Sequence, residues 1–218
     1  FISSDNVTLN GFVIKPDSTT MQADTIASAI YTDKSKVTIK NNKITGVSAD
    51  AQSTDANSIK GIQVYRSDGA STIEDIVIKD NIIGDIYFNG DTSSAATWGD
   101  YGNLYGIYVQ GNINGVTVEG NTIQELDSVG YTIGLSLGHT GTVATPRNVY
   151  VKNNTFSNLT TGDGGDSTIP AVGFEIASSE GDPNAAVEVS NNTFTGMEGV
   201  YVNDSSGTVE KSRLETIL

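Results

Sequence analysis

The chain contains no cysteine, so it can hold no disulfide framework, no thiolate metal site and no cysteine nucleophile. Its one histidine, His139, has no neighbouring Ser-Asp arrangement and reads as structural or solvent-exposed. Positive charge is scarce: 12 Lys and Arg stand against 26 Asp and Glu, for a formal charge of −14. Nucleic acid and anionic membrane are disfavoured partners, because phosphate binding rests on clustered cations. Acidic polysaccharides are disfavoured too unless metal ions bridge the like charges. No apolar run is long enough to cross a bilayer, and no segment keeps an apolar period of 3.6 residues over several turns. Prolines number four against 24 glycines in 218 residues, the composition of a turn-rich, all-β domain. A single domain over residues 1–218 is the expectation. Because the sequence opens inside a strand phrase, it is expected to be a mature or excised fragment of something longer.

What is present is one phrase written five times: Val37-Thr38-Ile39-Lys40-Asn41-Asn42-Lys43-Ile44 and its counterparts at residues 76–83, 116–123, 149–156 and 187–194. A degenerate copy runs from Val7 to Ile14. The alternation before the bend has period two, which in a strand sends Val37 and Ile39 to one face and Thr38 to the other. The bend column is Gly11, Asn41, Asp80, Gly120, Asn153 and Asn191, the residue types that take a left-handed backbone cheaply. The next column holds Phe12 and then Asn42, Asn81, Asn121, Asn154 and Asn192. An amide recurring at one position can donate and accept along a stack, which predicts an asparagine ladder.

A third strand recurs upstream of each phrase: Ala29-Ile30-Tyr31, Gly61-Ile62-Gln63-Val64, Gly106-Ile107-Tyr108-Val109, Gly134-Leu135-Ser136-Leu137, Gly173-Phe174-Glu175-Ile176 and Gly199-Val200-Tyr201-Val202. Ladder asparagines are 39, 40, 33 and 38 residues apart (42 to 81, 121, 154 and 192), so the connections vary while the phrases do not. Three strands and one ladder bend per unit predict a parallel solenoid in which each coil buries its apolar face against its neighbours. Leucine-rich repeats and propeller blades fit neither this period nor this strand order. The pattern resembles the right-handed parallel β-helix family, the pectin-lyase-like superfold. That resemblance implies an all-β, single-stranded right-handed parallel β-helix of about six coils.

In that family, loops wall a groove floored by the outward face of the third strand. Here the floor is expected to be Tyr31, Gln63, Tyr108, Ser136, Glu175 and Tyr201, with Trp98 and Tyr101 on the longest loop as further ligand-binding candidates. Aromatic faces offer sugar rings apolar area beside a hydrogen-bonding edge, although tyrosines also simply suit β-strands. Hydrolytic relatives carry an aspartate cluster, and glycoside cleavage needs paired carboxylates; the floor holds Glu175 alone. Lyase relatives need a Lys or Arg base, and none occupies the floor, Arg66 and Arg147 being placed in wall loops. Tyr105-Gly106-Ile107-Tyr108 begins like the epimerase relatives' motif, but no Asp-Pro-His follows.

No cofactor is required. Calcium is the one candidate, through Asp163, Asp166 and Asp182, which are hard oxygen ligands and equally ordinary acidic turns. The outward column Thr8, Thr38, Val77, Thr117, Tyr150 and Glu188 is too irregular for an ice-ordering surface. Asn-x-Ser/Thr sequons start at Asn6, Asn153, Asn158, Asn191 and Asn203, with Asn153 and Asn191 expected to be poorly accessible in the bend. The resulting expectation is a secreted or cell-surface module, non-catalytic, for glycan binding, adhesion or structural display toward a polysaccharide or a neighbouring surface protein. The alternatives are a polysaccharide lyase or epimerase using Glu175 and loop acids, and a ligand-free spacer of a surface layer or adhesin.

Overall fold

The computed structural model describes residues 1–15, 27–50, 58–67, 70–89, 103–128, 130–138, 146–161, 171–176 and 187–197. Every element among them is a strand, and every pairing is parallel. The strands fall into three sheets. The first, in spatial order, is β1 (Thr8–Asn10), β4 (Thr38–Lys40), β7 (Ile73–Lys79), β10 (Ile113–Glu119), β13 (Arg147–Lys152) and β16 (Val187–Ser190). The second is β2 (Val13–Ile14), β5 (Lys43–Asp50), β8 (Ile82–Asn89), β11 (Thr122–Ser128), β14 (Thr155–Thr161) and β17 (Thr193–Met197). The third is β3 (Ala27–Thr32), β6 (Ser58–Arg66), β9 (Asn103–Gly111), β12 (Thr132–Leu137) and β15 (Ala171–Ile176). Each strand pairs with the one three places on, so the first five coils each pass through all three sheets, and the sixth contributes β16 and β17 among the described residues. The core is the inside of this coil, where Ile39, Ile44, Ile62, Ile78, Ile83, Ile107 and Val118 are fully buried.

The asparagine ladder forms as the repeated amide predicts. Asn42, Asn81, Asn121 and Asn154 are buried and Asn192 is half-buried. On each rung the backbone N–H and the Nδ2 both donate to the Oδ1 of the next: Asn81 to Asn121 at 3.0 and 2.9 Å, Asn121 to Asn154 at 2.9 and 3.0 Å. The remaining Nδ2 hydrogen goes back to a strand carbonyl of the preceding coil, as from Asn81 to Ile39 at 2.9 Å. Backbone groups at a tight buried bend are thereby paired without water. Beside the ladder Ile44, Ile83, Ile123, Phe156 and Phe194 stand in register, the two rings stacked with centroids 4.9 Å apart.

One bend per coil is too few. Left-handed residues recur five positions either side of the ladder bend, as in Lys36, Asn41 and Gly46, or Asp75, Asp80 and Asp85, or Asn148, Asn153 and Asn158. The four coils from Lys36 to Asn158 therefore carry three such residues each, and the outer two fall within the first and second sheets without ending them. Asn153 and Asn191 are exposed in this bend, contrary to the poor accessibility expected of them. Left-handed geometry turns the side chain outward, while the next residue turns its amide in.

Candidate functional site

The outward face of the third sheet is shaped by a glycine column. Were Gly106 to carry a Cβ, that atom would lie 2.6 Å from the Gly134 carbonyl oxygen and 2.8 Å from Ile123 Cγ2; Gly61 and Gly134 are equally confined. The pairing registers step over the glycine, running from Lys60↔Tyr105 to Ile62↔Ile107. Alternation is interrupted, so the residue before the glycine and the second residue after it both face outward.

Two outward columns result. Tyr31, Gln63, Tyr108, Ser136 and Glu175 are in continuous register, as expected of the floor. The bridge of Ile2 to Thr32 puts Phe1 against Tyr31, and their rings stack at 5.2 Å and 10°. The second column, Ser28, Lys60, Tyr105, Ile133 and Val172, is absent from the expected site. Tyr201, Trp98 and Tyr101, and the calcium candidates Asp163, Asp166 and Asp182, lie outside the described residues.

The middle of this surface is not an open floor. Tyr108 is 6% exposed, Gln63 7% and Ser136 0%. Tyr105, Tyr108, Ile133 and Val172 form a second apolar cluster, with Tyr131 packed on it. Among the described residues of the column, Tyr31 and Glu175 are half-buried, and Phe1 beside Tyr31 is 81% exposed.

Polar groups in the column are paired along it. Ser28 Oγ donates to Gln63 Oε1 at 2.5 Å, the Tyr108 hydroxyl to Gln110 Oε1, and Ser136 Oγ to Glu175 Oε2 at 3.0 Å. Burial raises the Glu175 carboxyl above its ordinary range, against the hydrogen bond from Ser136, which lowers it. Burial also raises the Tyr108 phenol, reinforced by the negative charge of Glu175. The Tyr31 phenol is raised by burial and then by Asp33.

Sequence reasoning left this face without a cation, and Lys60 supplies one. It is 3% exposed, its Nζ sits 5.0 Å from the Tyr108 centroid and 5.4 Å from that of Tyr105, and Ser58 Oγ accepts from it at 2.5 Å. No carboxylate among the described residues lies within ion-pair distance of it. Burial lowers its pKa to about 8, while the rings favour the ammonium. Arg66 and Arg147 lie on strand ends rather than in wall loops: Arg66 Nε donates to Ser71 O at 2.8 Å, and Arg147 Nη2 to Asn112 Oδ1 at 3.3 Å. Among the described residues, no group of three or more His, Asp or Glu is placed to hold a metal ion.

The stacked parallel sheets and the ladder agree with the comparison to known families. The chain belongs to the right-handed beta helix family, whose sequence model matches residues 5–214. Comparison with curated proteins and with solved structures gives no match.

Proposed function

We propose that this chain is a non-catalytic secreted or cell-surface β-helix module that binds a neutral glycan or a surface partner on the outward face of its third sheet. The observation that carries this reading is the in-register stripe of Phe1, Tyr31, Gln63, Tyr108, Ser136 and Glu175. It sets aromatic, amide, hydroxyl and carboxyl groups in one line at about 4.8 Å per coil, a mixture that suits sugar rings and their hydroxyls. Exposure favours Tyr31, half-buried and stacked on Phe1, as the anchor over Tyr108, whose ring is packed into the outer cluster. A charge of −14 favours neutral over acidic glycans at low salt. The stripe carries one carboxylate among its described residues, and two-carboxylate hydrolysis needs a pair.

A glycan array with wild type, Tyr31→Ala and Tyr150→Ala is the test. Binding to neutral glycans, lost in Tyr31→Ala and kept in Tyr150→Ala, is the expected result. No binding to any glycan would leave the spacer reading, and turnover abolished by Glu175→Gln would promote the lyase or epimerase reading.

A further inference from the structure

Left-handed asparagines recur along the bends, and their exposed amides are put to different uses from coil to coil. Most give Nδ2 to a side chain one coil back. Asn41 donates to Asn10 Oδ1 at 2.8 Å, Asn148 to Asn114 Oδ1 at 2.6 Å and Asn158 to Glu125 Oε1 at 2.6 Å. Asn153 is an exception. The bend residue one coil back is Gly120, which has no side chain to accept. Glu119, in register with Asn10 through Lys40 and Lys79, is engaged by Lys79 at 3.4 Å and Lys152 at 3.7 Å. Among the described residues no hydrogen bond holds the exposed Asn153 side chain.

Two further features meet at this residue. Asn153-Asn154-Thr155 is an Asn-x-Thr sequence, the acceptor signal for N-linked sugar. Beyond it, β14 and β17 carry no charged residue. Their outward Thr155, Ser157, Thr193 and Thr195 are small, neutral and at least half exposed to the same flank, so a sugar leaving the bend meets hydroxyls and no like or unlike charge.

We propose that Asn153 is an acceptor for an N-linked glycan. The donor class is an oligosaccharide carried on a lipid diphosphate and delivered by a transferase. Nδ2 forms the bond to the anomeric carbon, the bond from that carbon to the diphosphate oxygen breaks, and Nδ2 gives up one proton. The competing sequons suit this less well. Asn158 would lose its bond to Glu125, and Asn6 follows Asp5 and stands one coil from Lys36 in the same left-handed column. Asn191 lies one coil beyond Asn153, about 4.8 Å away, so the first sugar on Asn153 covers it. This inference rests on the secreted or cell-surface reading, since such sugars mark exported chains, and it is independent of what the third sheet binds.

The experiment sends the 218-residue chain through a eukaryotic secretory pathway behind a cleavable leader and maps its glycopeptides by mass spectrometry. A glycan on Asn153 is the expected result. Asn153→Asp should abolish it and keep the bend, because Asp80 holds the same column at φ 53°. Thr155→Val, which removes the signal without touching the bend, should abolish it too, and Asn158→Asp should leave it in place. An exported chain with Asn153 bare, or with the glycan on Asn6, Asn158 or Asn191 instead, would overturn the proposal. Fractionation of the cells that encode the chain tests the reading beneath it. Recovery from the cytosol would overturn the surface reading and, with it, the glycan in the native cell, a result distinct from a bare Asn153 in the exported chain.

Discussion

The ladder corner and the outward face of the third sheet are both columns of side chains in strict register, yet they do opposite work. At the corner one residue type repeats, every amide is paired to the next, and substitution should be felt as lost stability. On the third sheet the side chain changes from coil to coil, from Tyr31 through Gln63 and Tyr108 to Ser136 and Glu175. Repetition marks what holds the solenoid together, and variation along a fixed register marks where one coil can be told from another. That contrast is why the proposed glycan site is put on the third sheet.

The largest effect is expected at the centre of the corner. Asn121→Ala removes the acceptor of two buried donors, Asn81 N and Nδ2, at about 1–3 kcal/mol each. Chemical denaturation should show a loss of roughly 2–6 kcal/mol by that reckoning. Asn192→Ala removes the same two kinds of bond from Asn154, but at a half-buried rung where water can replace them, so its cost should be smaller. Equal losses would mean that burial is not what makes the ladder matter.

Lys60 should respond in the opposite direction. Its pKa in the folded chain, about 8, lies below the ordinary 10.5. The unfolded chain therefore binds more protons between those values, and stability should rise with pH across that window. Below it the buried ammonium costs about 3 kcal/mol by the size of the shift, offset by about 1–2 kcal/mol of attraction to the two rings. Lys60→Met should then stabilise the fold by roughly 1–2 kcal/mol near neutral pH and flatten the rise between pH 8 and 10.5. A destabilised variant with the alkaline rise intact would show that another group titrates there.

The smallest effect belongs to the outer bend columns. Lys36 is exposed at φ 58°, a conformation that side chains other than Gly, Asn and Asp adopt at a cost of about 1 kcal/mol. Lys36→Asn should raise the thermal midpoint by the equivalent of roughly 0.5–1 kcal/mol, and a lowered midpoint would mean the lysine makes a contact that outweighs its backbone.

The ladder corner was legible because its signal is chemical identity at one position, Asn five times in succession. The flanking columns were legible in principle, since Gly, Asn and Asp recur at intervals of five through 41 and 46, 80 and 85, 153 and 158. Lys36 and Glu125 break that pattern and hide it. On the third sheet the register from Tyr31 to Glu175 followed from counting. The second outward column did not, because the repeated phrase starts at the glycine and Lys60, Tyr105, Ile133 and Val172 stand just before it. Only the close backbone approach at Gly61 and Gly106, and the separate outer cluster of Tyr105, Tyr108, Ile133 and Val172, reveal that both sets face outward. Phe1 was missed for a similar reason: the degenerate phrase begins at Val7, and the bridge from Ile2 to Thr32 has no sequence signature. Burial was least legible, since buried Tyr108 and half-buried Tyr31 both follow an isoleucine in the same strand phrase.

The measurement that tests the contrast most directly is amide hydrogen exchange with and without a neutral glycan identified on the array. Ligand should slow exchange at residues 28–33 and 63–66, around Tyr31, and leave the ladder amides of Asn42, Asn81 and Asn121 unchanged. Slowing confined to the first or second sheet, with residues 28–33 unaffected, would contradict the assignment of recognition to the third sheet.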